Sequence, residues 1–381
     1  MSDRKGEVWR AGLFGRFLAG RPRHQILRPM ILGFSVVVCS GVAFGQDEGG
    51  GHVERETAEN VAAAGEMTAA LDVAIERGLA QLATQQGPDG AFAGGRFGKN
   101  VAITALACLA FMADGNLPGR GAYGDVVDRG LEFVLSNSGE NGLVASDAAN
   151  GPMYGHGFAT LFLGEVYGMT GGGGDTDKSQ RVHEALVKAV RLIERTQNDE
   201  GGWRYNPVPY DADLSVTICQ IMALRSARNA GIEVSKDVID KAVEYVRECQ
   251  NRDGGFRYQT DMGPSAWPRS AAGIASLFYA GVYEDEAIDR GLEYLSDNAM
   301  PGRVRASQAH YFYGHYYAVQ ANYLAGGEHW QEWWTAIREQ LLGTQLSDGS
   351  WLDRSVGSSY GTAMSLIILQ MPKRYLPIFQ K

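Results

Sequence analysis

Two aspartates one residue apart, Asp211 and Asp213, stand just before the apolar segment SVTICQIMAL at residues 215–224. A carboxylic acid that its surroundings keep neutral can donate a proton, even to a carbon–carbon double bond. Carboxylates at the start of a helix have another use, because they cap free backbone N–H groups at the positive end of the helix dipole. The pair therefore indicates either a catalytic acid or a helix cap, and both readings stay open.

A second set of candidate groups lies in the segment AHYFYGHYYAVQANY, residues 309–323. Helical spacing aligns several of its phenol and imidazole side chains along one face. Such polar tips on a buried helix either hydrogen-bond to one another or face a wet cavity. The predicted ligand contacts here are Phe312, Tyr313, His315, Tyr316 and Tyr317. The alternative is an aromatic packing interface between helices.

The elements that hold these residues repeat along the chain. Four short segments share the pattern Q-x-x-[D/E]-G-[A/G/S]-[F/W], and two weaker copies fall between them. The strong copies begin at Gln86, Gln197, Gln250 and Gln345, and the weaker ones at Ser138 and Asn298. The glycines that mark the copies are separated by 52, 59, 53, 48 and 47 residues. A repeat of this length predicts an array of similar structural units.

Two kinds of segment flank these turns. An amphipathic segment such as VIDKAVEYVRECQ, residues 238–250, comes before the turn, and a segment that is apolar on nearly every side, such as TAMSLIILQ at 362–370, comes after it. We therefore expect an all-α fold, an α/α toroid of six helical hairpins. Its outer ring of helices would shield an inner ring that lines a central cavity. An open solenoid is the alternative, but it would need polar caps at both ends.

The turns resemble the Gln/Trp repeats of the squalene cyclases and the related repeats of protein prenyltransferase β subunits, which share the α/α-toroid fold. The resemblance covers about residues 71–369 and implies that the glutamines and aromatics of the turns tie the outer helices together. It is more specific for the fold than for an activity, because one fold serves many functions.

The same resemblance extends to the aspartate pair. Asp211-Ala-Asp213-Leu214-Ser215 is similar to the Asp-x-Asp-Asp-Thr motif of class II terpene cyclases, which implies that Asp213 is the proton donor, with Asp211 beside it. Leu214 replaces the third acidic residue. Squalene cyclases carry two barrels and this chain has length for one, so full squalene cyclisation is not expected. The prenyltransferase zinc is not expected either, because no Asp-x-Cys pair precedes His315. We expect no metal and no cofactor.

Polar residues at the heads of the other predicted inner helices would meet at one mouth of a closed ring, which makes that rim the default binding site. The predicted ligand contacts there are Tyr154, His156, Trp267, Arg269 and Tyr360, together with Trp203 and Tyr205 from a turn. Arg269 with His156 or Tyr313 would also suit a sugar polymer, since toroids of this general kind occur among polysaccharide lyases.

The N-terminal residues are typical of an export signal, because four arginines between residues 16 and 28 precede the apolar run ILGFSVVVCSGVAF. We expect residues 1–45 to be a cleaved signal peptide, 46–66 a flexible acidic and Gly-rich linker, and 67–381 a single toroid domain. A retained membrane anchor is the alternative. Removal of the signal takes the net charge from −9 to −14. That sign disfavours nucleic acid and anionic lipid surfaces as partners.

Two hypotheses from different classes follow. In the first, this is an exported, periplasmic or envelope toroid protein that binds and transforms a hydrophobic isoprenoid-like ligand in its central cavity. In the second, it is a non-catalytic binding or scaffold protein with a partner in the cell envelope. A polysaccharide-active toroid is a weaker third reading.

Overall fold

The computed structural model describes residues 66–146, 151–171, 176–261 and 263–380. The predicted signal peptide and nearly all of the predicted linker lie outside these residues. The described part of the chain contains twelve α-helices and three short 3-10 helices, and its only extended pairings are isolated β-bridges.

The helices form two concentric rings. The outer helices are α1 Ala69–Thr84, α3 Gly124–Ser136, α5 Thr176–Arg195, α7 Lys236–Glu248, α9 Glu286–Ala299 and α11 Gly327–Thr344. The inner helices are α2 Val101–Met112, α4 Met153–Thr170, α6 Leu214–Asn229, α8 Trp267–Ala280, α10 Tyr311–Ala325 and α12 Ser358–Leu369. Each inner helix packs against the next, and α12 packs against α2, so the ring closes. The predicted all-α toroid of six hairpins is confirmed.

Burial follows the predicted alternation. In the inner helix α2 every residue except Ala102 is buried. In the outer helix α7 only Ile239, Ala242, Val243, Tyr245 and Val246 are buried, which is one stripe at helical spacing. The inner helices are therefore enclosed by protein, whereas the outer helices keep one face in water.

The pattern that the strong turns share has a direct structural reason. The Gln197 amide Nε2 donates to Gly201 O in its own turn and to Val238 O at the start of the next outer helix, both at 2.8 Å. Gln345 makes the same bond at 2.8 Å to Ala74 O of α1, so the last turn is tied to the first outer helix. Gly201 has φ 97°, and a Cβ there would lie 2.2 Å from Lys241 O, so only glycine fits.

The aromatic residue after each strong turn anchors the hairpin. Trp203 is buried, and its Nε1 donates to Ile193 O at 2.8 Å. Trp351 repeats this contact with Leu341 O at 2.8 Å. The backbone N–H of Trp203 also donates to Thr217 Oγ1 on the following inner helix at 3.1 Å. The two bonds of Trp203 thus fix the outer helix α5 to its inner partner α6.

At the end of the ring where the inner helices finish, the 3-10 helix Pro377–Phe379 packs against α4 and α6. Its Ile378 and Phe379 side chains are buried there. The opposite end, where the inner helices begin, holds the cavity. Among the described residues, no helix is long and apolar enough to cross a membrane.

Candidate functional site

A cavity of about 670 Å³ opens where the six inner helices begin. The first turn of every inner helix contributes to its wall, with Val101, Tyr154, Ser215, Arg269, Tyr313 and Tyr360 on α2, α4, α6, α8, α10 and α12. The apolar side chains of Ile103, Leu106 and Phe158 also line it. A volume of this size suits a ligand of about drug size, held by apolar contacts and oriented by a few polar groups.

Five of the predicted ligand contacts line this cavity, namely Tyr154, Tyr205, Arg269, Tyr313 and Tyr360. Tyr313 is fixed by its hydroxyl, which donates to Ser215 O at 3.1 Å. The rings of Tyr154 and Tyr205 lie side by side, with centroids 6.1 Å apart. The closed ring therefore brings together side chains from distant repeats.

The rest of the aromatic cluster on α10 lies behind the cavity wall. Phe312 and Tyr316 are buried, and the Tyr317 hydroxyl lies 3.4 Å from Cys219 Sγ.

His315 is buried between Trp267 and Trp333, with ring centroids 4.9 and 5.8 Å away. Burial lowers the pKa of His315 to about 3, so its imidazole is neutral. Within the described residues, no three His, Cys, Asp or Glu side chains cluster as a metal site would require. His315 and Trp267 pack against each other between α8 and α10 and do not line the cavity.

His156 and Trp203 also lie in the core. His156 Nδ1 accepts from Val144 N at 3.2 Å, and its Nε2 lies 3.3 Å from Ala189 O. Burial lowers the pKa of His156 to about 4. The bond from Val144 is the counterpart of the one from Trp203 N to Thr217, so His156 replaces a threonine hydroxyl that holds the turn.

Asp213 caps α6 and is wholly buried. Its Oδ1 accepts from Val216 N at 3.0 Å, which is the predicted cap. Burial also raises the pKa of Asp213 to about 6, although the bond from Val216 N and the Tyr258 hydroxyl favour the charged form. A carboxyl with this pKa keeps a protonated fraction near neutral pH. The capping role and the capacity to donate a proton therefore coexist in one side chain.

The surroundings of Asp213 connect it to the cavity. Arg204 pairs with Asp211, and its Nε lies 3.8 Å from Asp213 Oδ2. The guanidinium of Arg204 also lies 5.4 Å from the ring centroid of Tyr205, whose hydroxyl is hydrogen-bonded to that of Tyr258. Neither aspartate lines the cavity, whereas both tyrosines do.

Sequence reasoning missed several residues of the wall, including Arg96, Phe97, Phe158, Tyr258 and His310. The repeat alignment held a signal for Tyr258. It follows Phe256 by two residues, as Tyr205 follows Trp203. Arg96 and Phe97 lie on the 3-10 turn Gly95–Phe97, for which the repeats gave no signal.

Comparison with known proteins agrees with this architecture. The model of the squalene-hopene cyclase C-terminal domain matches residues 164–323. The repeats are similar to those of the prenyltransferase/squalene cyclase-like family. The probable squalene–hopene cyclase of Sinorhizobium fredii is 29% identical over 126 residues, which cover 30% of this chain and 18% of that protein. This chain therefore matches less than a fifth of the length of that relative.

Two solved structures share the fold of these squalene cyclase-like repeats. The type II terpene cyclase MstE from Scytonema superposes with a TM-score of 0.56 and 14% identity, over 81% of this chain and 100% of that one. A variant of it has been solved with its substrate, geranylgeranyl dihydroxybenzoate. The α-1,6-mannanase GH76A of Salegentibacter sp. HEL1_6, in an inactive variant with α-1,6-mannotriose, superposes with a TM-score of 0.60 and 10% identity, over 79% of this chain and 98% of that one. At these identities the likeness shows the fold alone.

Proposed function

We propose that this protein binds an isoprenoid-like ligand in its central cavity. The observation that carries the proposal is the wall of that cavity, which combines apolar side chains of the inner helices with the aromatic rings of Phe97, Tyr154, Phe158, Tyr205 and Tyr258. Burying an apolar chain against such a wall is favourable by about 25 cal/mol per Å² of apolar surface removed from water.

The length of the chain is compatible with chemistry on such a ligand. A single barrel argued against squalene cyclisation, since squalene cyclases have two. The whole of the MstE chain, however, superposes on part of this one, so a type II terpene cyclase of single-barrel length exists. The size of this chain therefore does not count against a smaller isoprenoid substrate.

Proton transfer from Asp213 is the second part of the proposal. The proton would pass from the Asp213 carboxyl to the Tyr258 oxygen while the Tyr258 hydroxyl gives its own proton to a double bond of the ligand. Asp213 would end as a carboxylate, stabilised by Val216 N and the nearby Arg204. Aromatic rings in the wall would stabilise the resulting cation through their π faces.

The first test is a binding titration with geranylgeraniol. We expect Ala102→Trp, which places a large ring inside the cavity, to weaken binding by tenfold or more. Ala80 is exposed on the outer helix α1, so Ala80→Trp is the matched control and should bind as the parent does. Equal affinities in the two variants would remove the central cavity as the binding site.

The same titration also tests the two alternatives, a sugar-binding protein and a scaffold protein. Mannotriose and mannotetraose serve as probes for the polysaccharide reading, which the fold of the mannanase and the polar rim support. Binding of these sugars instead of geranylgeraniol would overturn the isoprenoid proposal and indicate that the ligand is a sugar polymer. A chain that binds neither class would be better described as a scaffold for an envelope partner.

Export remains a proposal that rests on the sequence alone. Basic residues before an apolar run support it. N-terminal sequencing of the protein from its own cells should find a chain that begins near Gln46. A chain that retains the apolar run would favour a membrane anchor.

A further inference from the structure

The last described residues of the chain lie against the ends of the inner helices, at the end of the ring opposite the cavity. This end segment, residues 371–380, follows α12 and includes the 3-10 helix Pro377–Phe379, which packs against α4 and α6. Its Leu376, Ile378 and Phe379 side chains are each at most 3% exposed. The end segment therefore docks mainly by burying apolar side chains on the inner ring.

The end segment also contains a strained residue between its polar contacts. Lys373 Nζ pairs with Asp114, which follows α2, and the guanidinium of Arg374 lies 5.7 Å from the ring centroid of Tyr323 on α10. Arg374 has φ 54°, in the left-handed region that residues other than glycine seldom adopt. Local opening of the end segment would release this strain, so docking has to offset it.

Glu165 on α4 joins the end segment to the inner ring. Its side chain is buried, its Oε2 accepts from Ile378 N at 3.1 Å, and its Oε1 lies 2.7 Å from Ser226 Oγ on α6. The Ser226 oxygen also lies 3.2 Å from Leu161 O. When Glu165 is protonated, its O–H can donate to Ser226 while the Ser226 hydroxyl donates to Leu161 O, so each of these groups has a partner. When Glu165 is ionised, Ser226 donates to it instead, and a full charge is buried against two donors.

The surroundings of Glu165 do not compensate such a charge. Among the described residues, the titratable groups that act on it from the other inner helices are the phenols of Tyr279 on α8 and Tyr316 on α10. Burial raises the pKa of both phenols, so they stay neutral. Lys373 and Arg374 of the end segment contact other side chains and form no ion pair with Glu165. Burial accordingly raises the pKa of Glu165 to about 7.

We propose that the end segment is a pH-sensitive latch, docked on the inner helices while Glu165 is protonated and loosened when Glu165 is ionised, because opening lets water reach the carboxylate. The ordinary pKa of a hydrated Glu is 4.5, below that of the docked residue. Docking should therefore weaken as the pH rises from about 4.5 to about 7, and then level off because both forms are ionised. The inference rests on the contacts of the end segment and is independent of the ligand of the cavity.

Hydrogen exchange of the Ile378 amide in the full chain measures the opening of the end segment, after correction for the intrinsic pH dependence of exchange. We expect the opening constant to be about tenfold or more larger at pH 7.5 than at pH 5. The amides of α12 are the internal reference. At pH 7.5 the Ile378 amide should open at least about tenfold more often than they do, because the end segment opens locally.

Two variants test the role of Glu165. The carboxamide of Glu165→Gln matches the neutral carboxyl, because its N–H can donate to Ser226 and its oxygen can accept from Ile378 N. Its opening constant should be the same at both pH values and close to that of the parent at pH 5. Asp114→Asn is the matched control, because it weakens the ion pair with Lys373 and leaves Glu165 in place. It should raise the opening constant at both pH values and keep their ratio.

Four results would overturn the latch. The parent could show the same opening constant at both pH values, or Glu165→Gln could keep the pH dependence, which would assign the titration to another group. Loss of the pH dependence in Asp114→Asn would assign it to the ion pair with Lys373. Equal opening constants for the Ile378 and α12 amides would mean that the end segment opens only when the whole domain unfolds.

Discussion

Two buried carboxylates at opposite ends of the inner ring have similar pKa shifts and different surroundings. Burial raises the pKa of Asp213 to about 6 at the cavity end, and that of Glu165 to about 7 at the end where the 3-10 helix Pro377–Phe379 packs. Both Glu165 oxygens accept hydrogen bonds, from Ser226 Oγ at 2.7 Å and from Ile378 N at 3.1 Å. Asp213 uses one oxygen as a cap and faces Arg204 and Tyr258 with its other side.

The comparison shows that a raised pKa does not by itself mark an acid. Glu165 joins the apolar end segment to α4 and does not line the cavity. Asp213 lies behind tyrosines that do line the cavity. Access of the proton to a ligand is what separates a chemical role from a structural one.

The largest expected effect on stability comes from substitution of Glu165. Glu165→Ala should lower the free energy of unfolding by about 2–4 kcal/mol, because it leaves the Ile378 N–H buried without an acceptor and opens a void. Urea denaturation measures this change. Glu244→Ala on the exposed face of α7 is the control and should change stability by less than about 0.5 kcal/mol. A mild effect at Glu165 would mean that the end segment is not held through it.

Stability should also depend on pH through both groups. Each folded-state pKa lies above the ordinary value, which is 4.5 for Glu and 3.8 for Asp. Between the ordinary and the raised pKa the folded protein therefore binds more protons than the unfolded chain. The contribution of these two carboxyls to the free energy of unfolding should be largest below pH 4 and fall as the pH rises to about 7, by about 3 kcal/mol per group. Burial of neutral His156 and His315 contributes with the opposite sign below about pH 6.5, so the carboxyl contribution is read as a difference between variant and parent.

Denaturation at a series of pH values tests this dependence. Relative to the parent, Glu165→Gln should gain stability as the pH rises from about 5 to 7, and at pH 8 it should be more stable than the parent. An unchanged slope in that variant would show that Glu165 does not hold the proton.

Substitutions at Asp213 distinguish its role as a helix cap from its proposed role as a proton donor. Asp213→Asn keeps an oxygen acceptor for Val216 N, so stability at pH 5 should change by less than about 1 kcal/mol. Asp213→Leu loses the cap and should cost about 1–2 kcal/mol. Product analysis with a bound prenyl ligand should show no conversion in either variant, while Glu165→Gln retains it. Conversion of the ligand by Asp213→Asn would contradict the proposed role of Asp213 as the proton donor.

The smallest effect on stability concerns the proposed proton route. Tyr258→Phe removes the hydroxyl that favours the charged form of Asp213, so the pKa of Asp213 should rise further. NMR titration of the labelled carboxyl carbon measures this rise, and the free energy of unfolding should change by less than about 1 kcal/mol at pH 5. An unchanged Asp213 pKa would exclude a route through Tyr258.

Much of the fold was predictable because the repeats report local geometry. A turn such as QNDEGGW needs glycine for its positive φ, glutamine to bridge two carbonyls and tryptophan to reach back to Ile193 O. Each requirement is satisfied within one hairpin or its neighbour. Helix periodicity then separated the outer from the inner ring.

The site was predictable only in part, and α10 shows why. Its crowded aromatics suggested a cavity wall, yet of Tyr313, Tyr316 and Tyr317 only Tyr313 lines the cavity. An inner helix is buried on all sides, so its own periodicity does not reveal which side faces the cavity. His156 shows the same limit, because its role depends on Val144 and Ala189 in other elements.

The sequence by itself determined the six hairpins, the turn chemistry and the position of Asp213 at the head of α6, since these depend on contacts between residues close in the chain or one repeat apart. Tertiary structure alone decided that the inner helices all begin at one cavity, that Arg96 and Arg269 line the same space, and that Tyr258 both lines that space and acts on Asp213. Closure of the ring sets those distances, because it joins residues far apart in the chain.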